Sequence, residues 1–212
     1  MFKRYWLSVA AIALAALLAG AYIARLFNQP AVPSLEAGTS FPSPRVLTPF
    51  DLIDTLGAPA SPAVLRGHPT LVFFGFTHCP DVCPTTLAVL TNVQKRAVRA
   101  DPKLDGLKIA LITVDPERDT PELLGKYIAS FGGDIIGLTG TAPGIVDATK
   151  SFGVARARVD LPGGSYTMDH SATVFALDAE ARVVAVFTPP FNADALVRDV
   201  ARLAPVLKAG RS

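Results

Sequence analysis

The chain has 212 residues, of which half are apolar and 18% are charged, and it contains 18 Pro, 16 Gly and two Cys. This length allows one domain of ordinary size together with an additional segment. Two cysteines exclude a disulfide-dense scaffold and a closed four-cysteine zinc site. The formal net charge is only +2, which is too small to indicate a nucleic-acid surface, so we expect no nucleic-acid partner.

The N-terminal region contains twenty consecutive uncharged residues, 5–24. As a helix this run would span about 30 Å, the thickness of the hydrocarbon core of a bilayer. Lys3 and Arg4 precede the run and Arg25 follows it, which orients the N-terminus toward the cytoplasm. Residues 1–27 are therefore predicted to be a single-pass inner-membrane anchor, with the C-terminal domain in the periplasm. The alternative is a cleaved signal peptide, because residues 19–21 (Ala-Gly-Ala) have the small-x-small form of a cleavage site.

Residues 28–45 contain four prolines and little hydrophobic periodicity. This composition predicts an extended, Pro-rich linker that separates the anchor from the domain. The domain is then expected to occupy residues 46–212.

Strand and helix signals alternate along this domain. Residues 71–76 form a continuous apolar run, which is typical of a strand covered on both faces. Thr120 followed by Pro121 indicates the start of a helix. In chain order, the pattern predicts a strand at 50–54, a strand at 71–76, a helix from about 84, a strand at 107–114, a helix from 121, a strand at 135–138, a helix at 142–152, a hairpin at 172–177 and 182–187, and a last helix after 192. This order is that of a thioredoxin-like α/β sandwich, although other α/β arrangements also satisfy it.

The two cysteines, Cys79 and Cys83, lie directly between a predicted strand and a predicted helix. A helix N-terminus stabilises anions, so one or both thiols are expected to form thiolates readily. Pro84 places the start of the regular helix near itself, so residues 79–83 should form a turn. Such a turn can bring the two sulfurs together as a redox disulfide or as two ligands of one metal. Thioredoxin-type motifs have two residues between the cysteines rather than three, and a purely structural disulfide over so short a loop would restrain little of the unfolded chain.

A third candidate ligand is His170. In a thioredoxin-like fold, the loop before the first strand of the hairpin packs beside the cysteine turn, and here residues 166–171 form that loop. Thioredoxins have a proline there, whereas this chain has His170. Two thiolates and one imidazole are a soft set that suits copper(I) and tolerates copper(II) with an added water or oxygen. Zinc fits less well, because three ligands do not complete a structural site.

Three motifs identify a family at this point. GFTHCPDVCPTTL (residues 75–87), VDPERDTPE (114–122) and MDHSA (168–172) resemble the Sco (SenC) family of copper-binding assembly proteins. The resemblance extends from about residue 50 to residue 207. It implies a membrane-tethered thioredoxin-like domain that binds copper through Cys79, Cys83 and His170. The role it implies is to metallate, or to keep reduced, the dinuclear copper site of cytochrome c oxidase subunit II.

Other polar residues near the motifs have two interpretations each. Asp81 either tunes the charge of the site or contacts the metal, or it is a solvated turn residue. Asp169 either orients the ring of His170 without binding the metal itself or stabilises a turn. His78 is expected not to be a ligand, because neighbours in an extended segment point in opposite directions. A docking rim on the expected active edge of the sheet is one interpretation of Asp115, Glu117, Arg118 and Asp119. Helix capping explains Asp119 and Thr120 equally well.

Two functions remain open. The first is a copper metallochaperone that transfers copper by ligand exchange to cytochrome c oxidase subunit II, and other periplasmic copper carriers are further expected partners. The second is a thiol–disulfide oxidoreductase that keeps the acceptor cysteines reduced, with thioredoxin-like reductants as partners. His170 distinguishes them, because disulfide exchange requires only the thiols. A peroxidase of the peroxiredoxin kind is disfavoured, since the usual Thr-x-x-Cys spacing is absent at Cys79.

Overall fold

The computed structural model describes residues 13–20 and 33–208. Residues 13–20 are helical, and the rest of the predicted anchor lies outside the described residues. Within those two ranges, no helix combines the length and the apolar character needed to cross a membrane. The chain divides into two units between residues 32 and 33, and all the strands described below lie in the second.

Residues 33–208 contain ten strands and four α-helices. The strands are β1 Gly38–Val46, β2 Leu52–Asp54, β3 Pro59–Ala60, β4 Thr70–Gly75, β5 Lys108–Thr113, β6 Ile135–Thr139, β7 Arg156–Asp160, β8 Tyr166–His170, β9 Val174–Leu177 and β10 Arg182–Phe187. The helices are α1 Val82–Ala100, α2 Pro121–Ala129, α3 Ala142–Phe152 and α4 Ala193–Leu207. Two short 3-10 turns occupy Pro62–Leu65 and Pro102–Leu104.

Eight strands form one mixed sheet in the order β1-β10-β9-β4-β5-β6-β2-β3. At its centre β4, β5 and β6 run parallel, and β9 joins β4 in the antiparallel direction. All six residues of β4 are buried, as expected for a strand whose two faces are both covered. The predicted central strands and the β9–β10 hairpin are therefore present, and the carboxyl end of β4 leads directly into the cysteine turn.

The predicted starts of α2 and α4 are confirmed by their caps. Thr120 accepts a hydrogen bond from the Leu123 amide at 3.2 Å, and Asn192 accepts one from the Ala195 amide at 3.0 Å. These side chains satisfy amides that have no partner within the helix. One apolar face of α4 is buried throughout, at Leu196, Val200, Leu203 and Leu207.

The predicted linker, 28–45, is contradicted from residue 38 onward, because β1 pairs with β10 along the edge of the sheet. Prolines are tolerated in this strand because Pro42 and Pro44 fall between Ser40 and Arg45, where the register of the ladder shifts. β1 is mostly exposed and has no alternating apolar pattern. For this reason the sequence did not predict a strand there.

The predicted start of α1 near Pro84 is also corrected, since the helix begins at Val82. Proline is compatible with the first turn of a helix, where its missing N–H has no intrahelical partner to lose. The amide of Thr85 donates to the carbonyl of Asp81 at 3.1 Å. Cys83 therefore lies within the first turn of the helix rather than in a preceding turn.

The predicted loop at 166–171 is instead largely a strand. β8 pairs with β7 in a separate two-stranded hairpin. Its turn contains Gly163 and Gly164, both with positive φ (83° and 80°), a conformation that glycine adopts without steric cost. β7 alternates polar residues with Ala157 and Val159, but all of its residues except Arg156 are exposed, so it lacks the buried apolar run that marks the central strands.

Candidate metal centre

The two cysteines are held by the end of β4 and the start of α1. The amide of Cys79 donates to the carbonyl of Phe76 at 3.3 Å. The amide of Cys83 donates to Cys79 Sγ at 3.4 Å, so an N–H group of the first helical turn contacts the Cys79 sulfur. Both thiols are free. Cys79 is half-buried, whereas Cys83 is fully buried.

His170 is the last residue of β8 and contacts one of these two sulfurs. Its Nε2 lies 3.8 Å from Cys83 Sγ, and its Nδ1 lies 3.1 Å from the carbonyl oxygen of Ser171. A carbonyl can only accept, so Nδ1 carries the proton and Nε2 presents its lone pair toward the sulfur. Burial lowers the pKa of His170, and it outweighs the Ser171 carbonyl and the Asp169 carboxylate, which raise that pKa. The imidazole is therefore neutral at neutral pH, as a metal ligand must be.

Aromatic rings and one glycine shape the space around these three side chains. The rings of Phe73 and Phe76 meet the His170 ring edge-on, with centroids at 6.2 and 6.0 Å. At Gly75, a Cβ atom would lie 2.9 Å from the Phe73 ring and 3.1 Å from Cys83 Sγ. Glycine at the end of β4 thus leaves the room that the buried sulfur occupies.

The pKa of the Cys83 thiol is raised well above its usual range, first by burial and then by the hydrogen bond with Cys79. The expectation of a readily formed thiolate therefore does not hold for Cys83. The main reason is burial, because the enclosed sulfur has no solvent to stabilise its charged form. Cys83 is a protonated thiol at neutral pH.

The donor atoms are two sulfurs and one imidazole nitrogen, a set whose softness matches copper(I). The nitrogen–sulfur distance of 3.8 Å is a non-bonded contact. In the part of the chain that the structure describes, no group of three or more His, Cys, Asp and Glu side chains already has the spacing of a bound ion. The chemistry of the donors fits copper, and their positions bring His170 next to the cysteine turn as predicted.

The two predicted outer-shell carboxylates have different surroundings. Asp81 is exposed before α1, and its Oδ1 accepts from the Thr85 hydroxyl at 3.4 Å. Asp169 is exposed. The group that contacts His170 Nδ1 is the carbonyl of Ser171 rather than the carboxylate of Asp169. Successive side chains of a strand point to opposite faces, which explains why Asp169 points away from its neighbour His170.

The docking rim predicted after β5 is not formed by its aspartates. Asp115 is 2% exposed and Asp119 is fully buried, while Glu117 is exposed. Asp119 does not cap α2 either, since Thr120 does so. Instead, Asp119 accepts hydrogen bonds from the amide and hydroxyl of Thr77, at 3.0 and 2.6 Å.

An open groove of about 340 Å³ borders the site and is lined in part by Arg156, Asp169 and His170. A larger cavity of about 470 Å³ lies beside the same hairpin, against Tyr166 and Met168. His170 is therefore reachable from outside the domain even though the buried Cys83 is not.

Three residues that shape the site had no role assigned from sequence. Gly75 and Tyr166 carried weak signals, because Gly75 directly precedes the cysteine turn and Tyr166 shares a strand face with His170. Arg156 carried none. It donates from Nη1 to the carbonyl of Val114 at 3.0 Å, a contact between residues 42 positions apart.

The fold and the site together define a class: a mixed α/β domain with two free cysteines at a helix start and a histidine facing them. A model of the SCO1/SenC family matches residues 39–205, and the chain belongs to that family. The SCO2-like protein of Rickettsia prowazekii is 43% identical over 141 residues, which cover 66% of this chain and 67% of that protein.

Solved structures agree on the fold. The copper-bound ScoI of Bradyrhizobium japonicum is 36% identical with a TM-score of 0.65, covering 74% of this chain and 98% of that one. BsSco, in which a disulfide switch was identified, is a member of the Sco family of cytochrome c oxidase assembly proteins. It is 27% identical with a TM-score of 0.60, covering 83% of this chain and all of that one. The thioredoxin-like architecture is thus confirmed.

Proposed function

We propose that this protein is a copper metallochaperone that binds copper through Cys79, Cys83 and His170. It would deliver copper to, or prepare, the dinuclear copper site of cytochrome c oxidase subunit II. The observation that carries the proposal is the position of His170, whose Nε2 faces Cys83 Sγ at 3.8 Å. Disulfide exchange requires no third donor, whereas copper gains a ligand from an imidazole held in this place.

The copper-bound structure of the Bradyrhizobium relative, 36% identical over most of this domain, supports copper as the metal. Before copper arrives, His170 is neutral and Cys83 holds its proton, because burial lowers the pKa of the first and raises that of the second. Copper binds the thiolate, so uptake releases the Cys83 proton and the apparent affinity rises with pH.

We further propose that residues 1–27 anchor the protein in the inner membrane and that the copper domain lies in the periplasm. The support is the uncharged run at 5–24 and the basic residues on its N-terminal side. This location would give access to cytochrome c oxidase subunit II and to other periplasmic copper carriers.

A second candidate is a thiol–disulfide oxidoreductase that keeps the acceptor cysteines reduced. The favouring observation is the contact between the two cysteines, where the Cys83 amide meets Cys79 Sγ at 3.4 Å. The disulfide switch of the related BsSco supports a redox pair at Cys79 and Cys83. A thioredoxin-like reductant would be its partner.

The test compares His170→Ala with the unmodified protein, using the full chain in detergent and copper(I) titration without oxygen. Loss of one of three ligands should weaken copper binding at least about 100-fold, since even outer-shell changes at metal sites cost about 10- to 100-fold. The Cys79–Cys83 pair should remain reducible in this variant.

The matched control is His68→Ala. His68 is also half-buried and contacts Thr70 Oγ1 at 2.9 Å, away from the cysteines, so its removal should leave copper affinity unchanged. Full oxidase activity of cells with His170→Ala, combined with none in Cys83→Ser, would show that the thiols act without the metal. The oxidoreductase would then replace the metallochaperone.

A further inference from the structure

One loop contacts both of the segments that carry the proposed ligands. Residues 114–120, here called the bridging loop, join β5 to α2. On one side, the carboxylate of Asp119 holds Thr77, two residues before Cys79. On the other side, Asp115 Oδ1 accepts from the Tyr166 hydroxyl at 2.8 Å, four residues before His170. The bridging loop therefore connects the cysteine turn with the β7–β8 hairpin.

Arg118 contacts the hairpin at both the backbone and the side chain of Tyr166. Its Nη1 donates to the carbonyl of Tyr166 at 3.0 Å, and its guanidinium carbon lies 3.7 Å from the centre of the Tyr166 ring. Its Nε pairs with the buried carboxylate of Asp115. The Arg118 guanidinium is thus held at one edge by Asp115, at another by the Tyr166 carbonyl, and on one face by the Tyr166 ring, so it has little rotational freedom. These contacts in turn fix the position of Tyr166.

The hairpin needs such contacts because β7 and β8 pair only with each other in the described domain. An isolated two-stranded hairpin is marginally stable, so its orientation depends on where it is attached. Arg156, opposite His170 in the register, donates to the carbonyl of Val114. Tyr166 attaches the other end of β8. The exposed ion pair between Arg158 and Glu117 also joins the hairpin to the bridging loop, but exposed pairs contribute little. The two attachments at Arg156 and Tyr166 therefore fix the tilt of the hairpin, and loss of one would let it pivot on the other.

The bridging loop is itself anchored to the centre of the sheet. The hydroxyl of Thr113 donates to Asp119 Oδ2 at 2.6 Å, and the hydroxyl of Thr139 donates to the Asp119 carbonyl at 2.7 Å. These groups are fully buried or nearly so. The loop therefore offers a rigid reference for the two ligand-bearing segments.

We propose that Arg118 and Asp119 are positioning residues that set the separation between His170 and the two cysteines. Arg118 holds the hairpin through Tyr166, and Asp119 holds the cysteine turn through Thr77. The inference rests on the proposed function only where copper is the readout, because the attachment can be measured in the metal-free protein.

The first experiment measures hydrogen exchange in the copper-free full chain for Arg118→Gln and for the matched control Arg158→Gln. Arg158 lies 3.8 Å from the centre of the same Tyr166 ring, but it is exposed and pairs with Glu117 and Asp160. Arg118→Gln should speed exchange of the hairpin amides, residues 156–170, at least tenfold and leave β4 and β5 unchanged. The Arg158 variant should stay within twofold of the unmodified protein.

Tyr166→Phe, which loses only the hydroxyl bond to Asp115, should give a smaller increase in the same amides. It keeps the test usable if Arg118→Gln does not fold. Unchanged hairpin exchange in both variants, or an equal increase across β4 and β5, would overturn the proposal for Arg118.

The second experiment measures copper(I) affinity by competition with a chromophoric chelator for Arg118→Gln, with and without His170→Ala. If Arg118 acts through His170, its loss should weaken binding at least tenfold in the presence of the histidine and less than twofold in its absence. An equal loss in both backgrounds would overturn the proposal. A His170→Ala protein with full affinity would instead refute the ligand set, and hairpin exchange would then decide the role of Arg118.

For Asp119, the comparison is between Asp119→Asn and Asp119→Ala. An asparagine can still accept from the Thr77 amide, so it should keep exchange at residues 77–79 close to that of the unmodified protein. Alanine should speed it at least tenfold. Similar fast exchange in both variants would show that the charge matters rather than the hydrogen bonds, and would overturn this part of the proposal.

Discussion

At the scale of single residues, the Cys83 sulfur can occupy its position because Gly75 has no side chain. Gly75 ends the central strand β4, and the space where its Cβ would lie is bounded by the Phe73 ring, Cys83 Sγ and Leu111 Cδ1, at 2.9, 3.1 and 3.2 Å. Protein interiors are close-packed, so an added methyl group there has to displace a neighbour.

We expect Gly75→Ala to lower the free energy of unfolding by about 1–3 kcal/mol, the usual cost of overpacking a core. Urea denaturation of the copper-free protein measures this change. The same substitution at Gly125 is the control, because it lies in α2 and its nearest neighbour would be Thr55 Cβ at 3.4 Å. Gly125→Ala should stabilise the protein by up to about 1 kcal/mol. Equal effects of the two substitutions would contradict the packing argument.

At the scale of elements, the start of the domain is fastened to its last helix. The amides of Glu36 and Ala37, just before β1, donate to the carboxylate of Asp199 on α4 at 2.9 and 2.7 Å. Asp199 is fully buried. A buried carboxylate that accepts two backbone N–H groups thus connects the edge strand to the helix layer.

Asp199→Ala should therefore lower the free energy of unfolding by about 2–4 kcal/mol, because it leaves two amides without their acceptor. Urea denaturation is again the measurement. Asp194→Ala is the matched control on the same helix: Asp194 is exposed and pairs with Arg96 at 2.7 Å, so its loss should cost less than about 1 kcal/mol. Similar losses of unfolding free energy in both variants would show that the buried carboxylate of Asp199 stabilises the domain no more than an exposed ion pair does.

The elements that the sequence predicted well are those with local signals. β4 and β5 are continuous apolar runs, and α2 and α4 begin at capping residues. β1 and β7 were missed because both are mostly exposed and each pairs along a single edge, so neither contains the buried apolar run that marked the central strands. Edge strands are defined by their partners rather than by their own composition.

The same distinction applies to the site. Cys79 and Cys83 stand out in one short motif, and His170 became a candidate only once a fold was assumed. The contact of Arg118 with Tyr166 joins residues 48 positions apart. Its prediction would require the orientation of the β7–β8 hairpin, which tertiary packing determines.

At the scale of the whole molecule, the distribution of charge suggests how the chain is placed in the cell. The net charge of +2 is smaller than the contribution of the three basic residues that flank the uncharged N-terminal run. The remainder of the chain is thus close to neutral, and the cationic excess lies at the proposed membrane end.

We expect the protein to fractionate with the inner membrane and its C-terminal domain to be digested by protease added to spheroplasts. The physical basis is the length of the uncharged run and the basic residues before it. A cytoplasmic protein that stays intact in the same spheroplasts is the control. A soluble periplasmic product that begins near Tyr22 would show instead that the segment is a cleaved signal.

The burial of Cys83 has a kinetic consequence for the redox pair proposed above. An incoming thiolate could reach only the half-buried Cys79 sulfur, so Cys83 would be the leaving group when the bond between them breaks. A thiol of raised pKa leaves slowly, and burial raises the pKa of Cys83. The mixed disulfide would therefore always form at Cys79. Reduction of the oxidised domain, which must precede renewed metal binding, would require a strongly nucleophilic reductant.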